Sequence, residues 1–484
     1  MTKFKKVDQN IIRNLIEIVG KDNVLTEDFE LIPYTRDHQW VKYHDLFRYK
    51  PEAVVLPETA EQVVKIVQLA NREKIPLVAC GARSGMTGNC VPVHGGVQVD
   101  MKRMNKIKEI DEDNLVAVVE AGLAVFRFDR ELRKRGFMCG HMPGSQPTAT
   151  VGGSISTSGW SEYRMKYGDI REQVTSLKIV LPTGELVKIG GGASGKVEKS
   201  SVGYPGLKHL FIGTWGTLGI VTEATVRIFP VPEYTYSGNV AFDSFERACE
   251  ATQKMLLADI PFSYILVGNR STVDFSRKVS PTYPDVDSIM TFTIEGKREI
   301  VETSKEVALR MCAEFGGKNM EEEILAATFL AGYDAWGPWV TAYGPGYPLD
   351  EEGAIPYKRA PEVAKEFEKI LKKYKVENIG IVVGLTRQYP ILGCFWRVDE
   401  RNAQKWEDYK KVSKEIAEIY LREGGTISMA HGLGTRREEE LLPLELGSSY
   451  ELMKRMKVML DPNNIMNPGR WNLDAAYTSK EEEK

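Results

Sequence analysis

Apolar residues first fall into register at Ile11, Ile12, Leu15 and Ile18, one face of a helix over 9–20. "AVVLPET" at 53–59 predicts a strand and a turn. The segment 59–74 has helical spacing, with Thr59 placed to cap it. "PLVAC" at 76–80 is a second short strand that runs into glycine-rich sequence, completing a β-α-β unit. Between 93 and 122, "GGVQVDM" and "NLVAVVEAG" predict two more strands, and Phe126, Phe128 and Leu132 mark a helix over 124–136. The stretch 139–170 is rich in Gly, Ser, Thr and Pro and reads as a long irregular segment. A hairpin follows at 174–190, turning at Pro-Thr-Gly, and then a strand at 222–233, stopped by two prolines.

After Pro232 the pattern changes. Helical stretches near 243–258, 300–315, 360–374 and 402–423 alternate with strands near 288–294, 379–384 and 393–398. That alternation predicts an antiparallel sheet flanked by helices, and the whole chain reads as α+β. A helix over 446–460 precedes a turn-rich terminator, "DPNNIMNPGRW" at 461–471. The expected division is a first domain over 1–233, a second over 234–440, and a C-terminal segment, 441–484, that returns to the first.

Composition narrows the function. The 484 residues exceed what one core supports. The content is ordinary for a globular protein, 42% hydrophobic and 27% charged. A net charge of -3 offers no basic surface for nucleic acid. The six cysteines are scattered, without the spacing of a zinc or iron–sulfur site, and suit a reducing compartment such as the cytoplasm. No run of about 18 apolar residues spans a membrane, though nothing bars peripheral contact with one.

Three small-residue segments carry the chemistry. In "ACGARSGMTGN" at 79–89, glycines 81, 85 and 88 let backbone N–H groups approach an anion, with the Ser84 and Thr87 hydroxyls beside them. The segment "MPGSQPTATVGGSISTSGW" at 142–160 permits close approach to a flat ligand. "GTWGTLGIVTEATV" at 213–226 repeats the pattern ahead of a β-branched strand. Alone, each suits a tight turn equally well. The first matches neither the Rossmann fingerprint nor the Walker loop.

Together, in this order, they resemble the vanillyl-alcohol oxidase / p-cresol methylhydroxylase superfamily of FAD-linked oxidases. The resemblance is to the D-lactate/glycolate dehydrogenase and alkyl-dihydroxyacetone-phosphate synthase branches. It runs over about 45–233 and returns at 424–471. It implies a two-subdomain FAD-binding domain of the p-cresol methylhydroxylase type and a substrate, or cap, domain built on an antiparallel sheet. By the same resemblance the pyrophosphate lies on Gly81, Ala82, Arg83, Ser84, Gly85, Met86 and Thr87. Pro143, Gly144, Ser145, Thr148 and Thr150 line the flavin and phosphates, and Thr157, Ser158 and Gly159 pass near the ring. Gly216, Gly219, Ile220 and Val221 close on the adenine side. Trp215 departs from the pattern, since relatives often carry Glu there. The first loop has no His for attachment, and His94 and His141 lie outside the attachment motif, so FAD is expected without a covalent link.

On the substrate side, "TRQYPILGCFW" at 386–396 resembles a synthase segment whose active-site tyrosine matches Tyr389. Arg387 beside it favours the phenolate. In "GGTISMAHGLGTRR" at 424–437, Met429, Ala430 and His431 stand where the synthase has three histidines, so His431 is the candidate acceptor of a hydroxyl proton. Arg387, Arg397 and Arg270 are candidate anion anchors. The glutamate and His-rich metal ligands of the glycolate branch are missing, so no metal is expected. Tyr333, Trp336, Trp339, Tyr343 and Tyr347 form an aromatic cluster that suits either a pocket wall or a core. The expected activity is hydride transfer from an alcohol or 2-hydroxy acid to flavin N5. The expected acceptor is an electron-transfer flavoprotein or a quinone, and the expected assembly a homodimer. A synthase-like reaction without net redox change, or an FAD subunit of an electron-transfer complex, are the alternatives.

Overall fold

A computed structural model describes residues 4–37, 48–191, 205–279, 283–320, 347–384, 386–399, 402–429, 432 and 438–474. The chain folds as two units: 1–161, 169–230 and 431–484 form one, and 162–168 with 231–430 form the other.

The first unit holds two sheets. Strands β1 (Val24–Leu25), β2 (Ala53–Val55), β3 (Leu77–Cys80) and β4 (Val97–Asp100) stand in the order β1-β2-β4-β3. The β2 and β3 strands both run parallel to β4, which lies between them. Helix α1 (Gln9–Val19) buries Ile11, Leu15 and Val19, spaced four apart, and is capped by Asp8. Helix α2 (Ala60–Glu73) starts where Thr59 accepts the Gln62 N–H at 3.2 Å. It carries the chain from β2 to β3 and buries Val63, Ile66, Val67 and Ala70.

The second sheet is antiparallel. It comprises β5 (Ile107–Asp111), β6 (Val116–Glu120), β8 (Val174–Val180), β9 (Leu186–Ile189) and β10 (Ile220–Pro230), in the order β5-β6-β10-β8-β9, with β7 (Phe137–Cys139) also paired to β10. Helix α3 (Val125–Arg133) follows β6. Helix α4 (Val151–Thr157) corrects the expectation of an irregular 139–170. "VGGSIST" has poor intrinsic helix propensity. It is held by the Thr150 cap and by close packing: a Cβ on Gly152 would lie 2.6 Å from that of Ala121.

The second unit is built on a seven-stranded antiparallel sheet, ordered β14-β11-β13-β12-β16-β17-β15. Its strands are β11 (Tyr234–Phe242), β12 (Phe262–Gly268), β13 (Ser288–Gly296), β14 (Lys318–Asn319), β15 (Tyr347–Ala354), β16 (Glu377–Gly384) and β17 (Ile391–Val398). Alternation along β13 buries Met290, Phe292 and Ile294 on one face. Thr291, Thr293 and Glu295 lie on the other, polar face. Short helix α5 (Arg164–Tyr167) belongs to this unit: Tyr167 donates to Glu295 Oε1 at 2.6 Å, and Lys166 to the Glu295 carbonyl at 2.7 Å. The remaining helices are α6 (Phe245–Leu257), α7 (Arg270–Val279), α8 (Arg298–Glu314), α9 (Ala360–Lys373) and α10 (Ala403–Arg422). Strands β1, β5, β7, β11, β12, β14 and β15 and helices α5, α7 and the later Glu438–Leu446 went unpredicted.

The C-terminal helices α11 (Glu438–Leu446) and α12 (Ser448–Leu460) lead to the terminator. It runs beside β3, with Leu77 N–H bonded to the Ile465 carbonyl and Asn467 N–H to the Leu77 carbonyl, both at 2.7 Å. Among the described residues no helix is long and apolar enough to cross a membrane.

Candidate functional site

In the first unit the three glycine-rich segments come together. The first leaves the end of β3. Gly81 abuts the second segment so closely that a Cβ there would lie 2.1 Å from Thr150 Oγ1. Arg83 adopts φ +56°. Its guanidinium lies 3.9 Å from the centre of the Tyr34 ring and 3.6 Å from the fully buried Asp100 carboxylate. Tyr34 also donates to Asp100, at 2.7 Å. The Arg83 guanidinium is thus held over Tyr34 and beside Asp100, with its buried Nη1 making no hydrogen bond. Thr87 is buried, while Ala82, Ser84 and Met86 are half-buried.

The second segment turns at Pro143, Gly144 and Ser145, with the Gln146 N–H on the Pro143 carbonyl and the Thr148 N–H on that of Ser145. The first amides of α4 are used within the protein. Val151 N–H goes to Leu123 O, Gly152 N–H to Ala121 O, and Gly153 N–H to Thr150 Oγ1. Thr157 donates its hydroxyl to Gly153 O at 3.0 Å. Ser158, at φ +49°, ends the helix and accepts from Arg171 at 3.3 Å.

The third segment docks on the second, through Gly213 N–H on Ile155 O at 2.9 Å and Trp215 N–H on Ser156 O at 2.8 Å. Gly216 turns at φ +71°. At Gly219 a Cβ would lie 2.8 Å from Ile179 and 2.9 Å from the Val180 carbonyl, so only glycine fits. The Ile220 and Val221 side chains belong to the core of β10.

The terminator locks the three together, a role the sequence reading missed. Asn467 donates to Asn89 O at 2.8 Å and to Trp215 O at 2.7 Å, clipping the first loop to the third. Lys457, 1% exposed, donates to Thr217 O and Met466 O and pairs with Asp461 at 2.5 Å. Trp215 packs on Trp471, ring centres 4.9 Å apart. Gly432 closes over the same place: a Cβ on it would lie 2.9 Å from Trp215 and 3.8 Å from Thr87 Oγ1. Its neighbour His431 lies outside the described residues. His141, also in this unit, is buried with both ring nitrogens open.

The second unit holds a separate open cleft of about 540 Å³, whose lining includes Arg164, Met165, Arg387, Tyr389, Thr426 and Met429. Its floor is welded to the end of β15: Ala354 and Thr426 exchange backbone hydrogen bonds at 3.2 and 3.1 Å. A Cβ on Gly425 would lie 1.8 Å from the Ala354 carbonyl. Arg387 is held by Asp259 and the Ile260 carbonyl, each at 2.9 Å. Tyr389 is 60% exposed at φ +22°, a conformation non-glycine residues rarely adopt outside functional or strained sites. Half-buried Glu162, two residues before Arg164, has its carboxyl pushed up to about 7 by burial.

Two of the candidate anion anchors serve elsewhere. Arg270 pairs with Asp274 and Asp285, each at 2.8 Å, and clasps α7 to the loop before β13. Arg397 faces Glu377 at 3.5 Å. In the aromatic cluster, Tyr333, Trp336, Trp339 and Tyr343 lie outside the described residues, and Tyr347 opens β15. Among the described residues, no group of three or more His, Cys, Asp or Glu could hold a metal ion.

The small-residue cradle of the first unit suits a nucleotide cofactor, and the family matches make the protein a flavin-dependent oxidoreductase. The chain belongs to the FAD-linked oxidases. Residues 51–190 match the FAD binding domain, and 231–471 match the C-terminal domain of FAD linked oxidases. It is 26% identical to a glycolate oxidase subunit GlcD of Bacillus subtilis, over 96% of this chain and 97% of that one. It is 28% identical to a D-lactate dehydrogenase of Anaerostipes hadrus, over 97% and 98%. Its fold is shared with p-cresol methylhydroxylase (TM-score 0.82, 20% identity, 97% and 98% covered). Alkyldihydroxyacetonephosphate synthase is also similar in fold (TM-score 0.76, 20% identity, 97% and 86% covered).

Proposed function

We propose that the protein oxidises an alcohol or a 2-hydroxy acid of the D-lactate or glycolate kind, using FAD held without a covalent bond, and passes the electrons to an acceptor other than oxygen, such as an electron-transfer flavoprotein or a quinone. The observation that carries this reading is the cleft of the second unit, which sets Arg164 and Arg387 beside Tyr389. A guanidinium grips a carboxylate through paired N–H donors. Arg387 is pre-positioned by Asp259 and Ile260, so little side-chain freedom is lost on binding. Met165 and Met429 supply an adaptable apolar wall for the rest of the substrate.

Bound FAD supplies the hydride acceptor, its N5 atom. The chain's part is to hold the substrate and take its hydroxyl proton, with His431 or Tyr389 as acceptor. Backbone groups of 81–87 and the turn at 143–150 hold the phosphates, and 157–159 and 216–221 enclose the rest. The glycolate and D-lactate relatives support the 2-hydroxy acid class.

Anaerobic mixing of the holoprotein with D-lactate, glycolate or an aryl alcohol tests it. Loss of the oxidised-flavin absorbance is expected. A flavin that stays oxidised with every 2-hydroxy acid and alcohol tried refutes the reading.

A further inference from the structure

In a chain of 64 cations and 67 acids, residues 126–135 hold five cations and two acids. Neither acid offsets the charge at the surface. Asp129 is buried, where it accepts the Cys139 N–H at 2.9 Å and the Arg133 guanidinium at 2.6 Å. Glu131 is half-buried and pairs with Lys134 at 2.7 Å. Arg127 and Arg130 are exposed, and among the described residues no carboxylate lies within ion-pair distance of either. Arg127 instead donates to Asn105 at 3.4 Å, which places exposed Lys106, also without a carboxylate partner, beside the helix. Phe126, 44% exposed, stands among these cations, with the Arg130 guanidinium 5.7 Å from its ring centre.

The face adjoins the cofactor cradle. Helix α3 opens on the 143–150 turn, with Val125 N–H on Ala149 O at 2.8 Å and Phe126 N–H on Gln146 O at 3.3 Å. Ala124 pairs with Thr150 in an isolated bridge. A partner seated on Phe126 therefore meets the chain next to a segment assigned to the flavin and phosphates.

Charge and composition say what kind of partner fits. Arginine and aromatic side chains mark protein interfaces, and a cationic face attracts an acidic one. Contacts between electron-transfer proteins are small, and charge steers them. A bilayer asks for a whole apolar helix face, and here one ring is exposed among the cations.

We propose that Phe126, Arg127, Arg130 and Lys106 dock an electron-carrier protein with an acidic surface beside the FAD cradle. Two one-electron carriers, docking in turn, accept the two electrons of one substrate oxidation, and two protons leave to solvent. The inference rests on the reading that electrons pass to an acceptor other than oxygen, and it names that acceptor's class.

The probe is an oxidised acidic blue-copper protein, with a basic c-type cytochrome as control. Binding of the labelled carrier is read by fluorescence anisotropy. Electron transfer is read by mixing each carrier anaerobically with holoprotein whose flavin has been photoreduced, so no substrate enters. The second-order rate with the blue-copper protein should fall about ten-fold or more between about 20 and about 300 mM salt. Arg127→Glu with Arg130→Glu should lower its affinity and its low-salt rate about ten-fold or more, and should not slow the basic cytochrome. Both side chains are exposed, so the melting temperature should hold. If that variant does not fold, Arg127→Gln with Arg130→Gln decides, with a loss of about three-fold expected at low salt. Blue-copper affinity and rate that ignore these substitutions, or an equal loss with both carriers, overturn the inference. Sedimentation with phosphatidylserine vesicles that the double variant abolishes, while carrier rates stay unchanged, assigns the face to a lipid surface and also overturns it. Charge-dependent docking in a protein whose flavin no substrate bleaches sinks the substrate reading alone. Bleaching by substrate with charge-independent docking sinks only this inference.

Discussion

Replacing Lys457 with Met should loosen the cofactor cradle from a position that lies in none of its three loops. The Lys457 ammonium is 1% exposed and makes three contacts: Thr217 O at 2.9 Å, Met466 O at 2.7 Å and Asp461 Oδ2 at 2.5 Å. Asp461 in turn accepts the N–H groups of Ile465 at 3.0 Å and Met466 at 2.8 Å. Methionine matches the stem and removes the cation. It leaves a buried carboxylate without its counter-charge, and breaking such a pair from one side costs about 3–5 kcal/mol. The open carbonyls add to that without being additive. An overall loss of about 4 kcal/mol, at about 2–4 °C per kcal/mol, lowers the melting temperature of the apoprotein by about 8–16 °C. Because Thr217 belongs to the third loop, FAD affinity should fall as well, at temperatures where the variant is folded. The double variant Lys457→Met with Asp461→Leu removes the stranded charge and should recover part of the loss. A single variant within about 1 kcal/mol of the wild type, or a double variant less stable than the single one, refutes the reasoning.

Acid precipitation of the holoprotein should release the flavin into the supernatant, and yellow colour retained in the washed pellet would show a covalent link. Glu162 gives a pH-dependent prediction. Its carboxyl is raised from an ordinary 4.5 to about 7, so the neutral form suits the fold, and the stability it contributes is present below about pH 4.5 and lost as the pH rises through 7. Glu162→Gln should therefore gain on the wild type across that window, by at most about 3 kcal/mol, and a melting-temperature difference that stays flat from pH 5 to pH 8 refutes it. FAD affinity should change by less than about ten-fold between 50 and 500 mM salt, because the cation of the first loop is already paired. A steep fall with salt, read by fluorescence titration, would show a free cation on the phosphates.

Much of the fold is legible in the sequence wherever one segment contains its own reason. The apolar spacing of α1 and the Thr59 cap of α2 are local features, as is the turn between β8 and β9. The missed elements depend on distant partners. β5 reads "IKEID" and is an edge strand with little buried surface, so no alternation betrays it. α4 is made of small residues and exists because Gly152 must touch Ala121 and Thr150 must face Gly81. The cradle's glycines can be read from the sequence as sharp turns, but the clip that joins them cannot. "LDPNNIMNPGRW" announces only a terminator, while the contacts of Asn467 reach back to Asn89 and Trp215.

These contacts bear on the proposed binding of a doubly charged ligand. In dinucleotide sites of the Rossmann type, a helix N-terminus faces the pyrophosphate. Here the opening amides of α4 are bonded to Leu123 O, Ala121 O and Thr150 Oγ1, so the helix end is already spent. Nor is Arg83, the basic residue of the first loop, free to substitute, since it stacks on Tyr34 and faces Asp100. On the proposed placement, what remains for the phosphates are the backbone N–H groups and hydroxyls of 81–87 and of the 143–150 turn, dipoles whose direction is fixed by the Gly81–Thr150 contact and by Asn467. Dipoles attract an anion only at close range and only when they point at it, so the site depends on rigidity where another would depend on charge. On that reading a buried ion pair at the far end of the chain, Lys457 with Asp461, supports the proposed cofactor site as much as the loops do, since it holds Thr217 of the third loop and Met466 of the terminator.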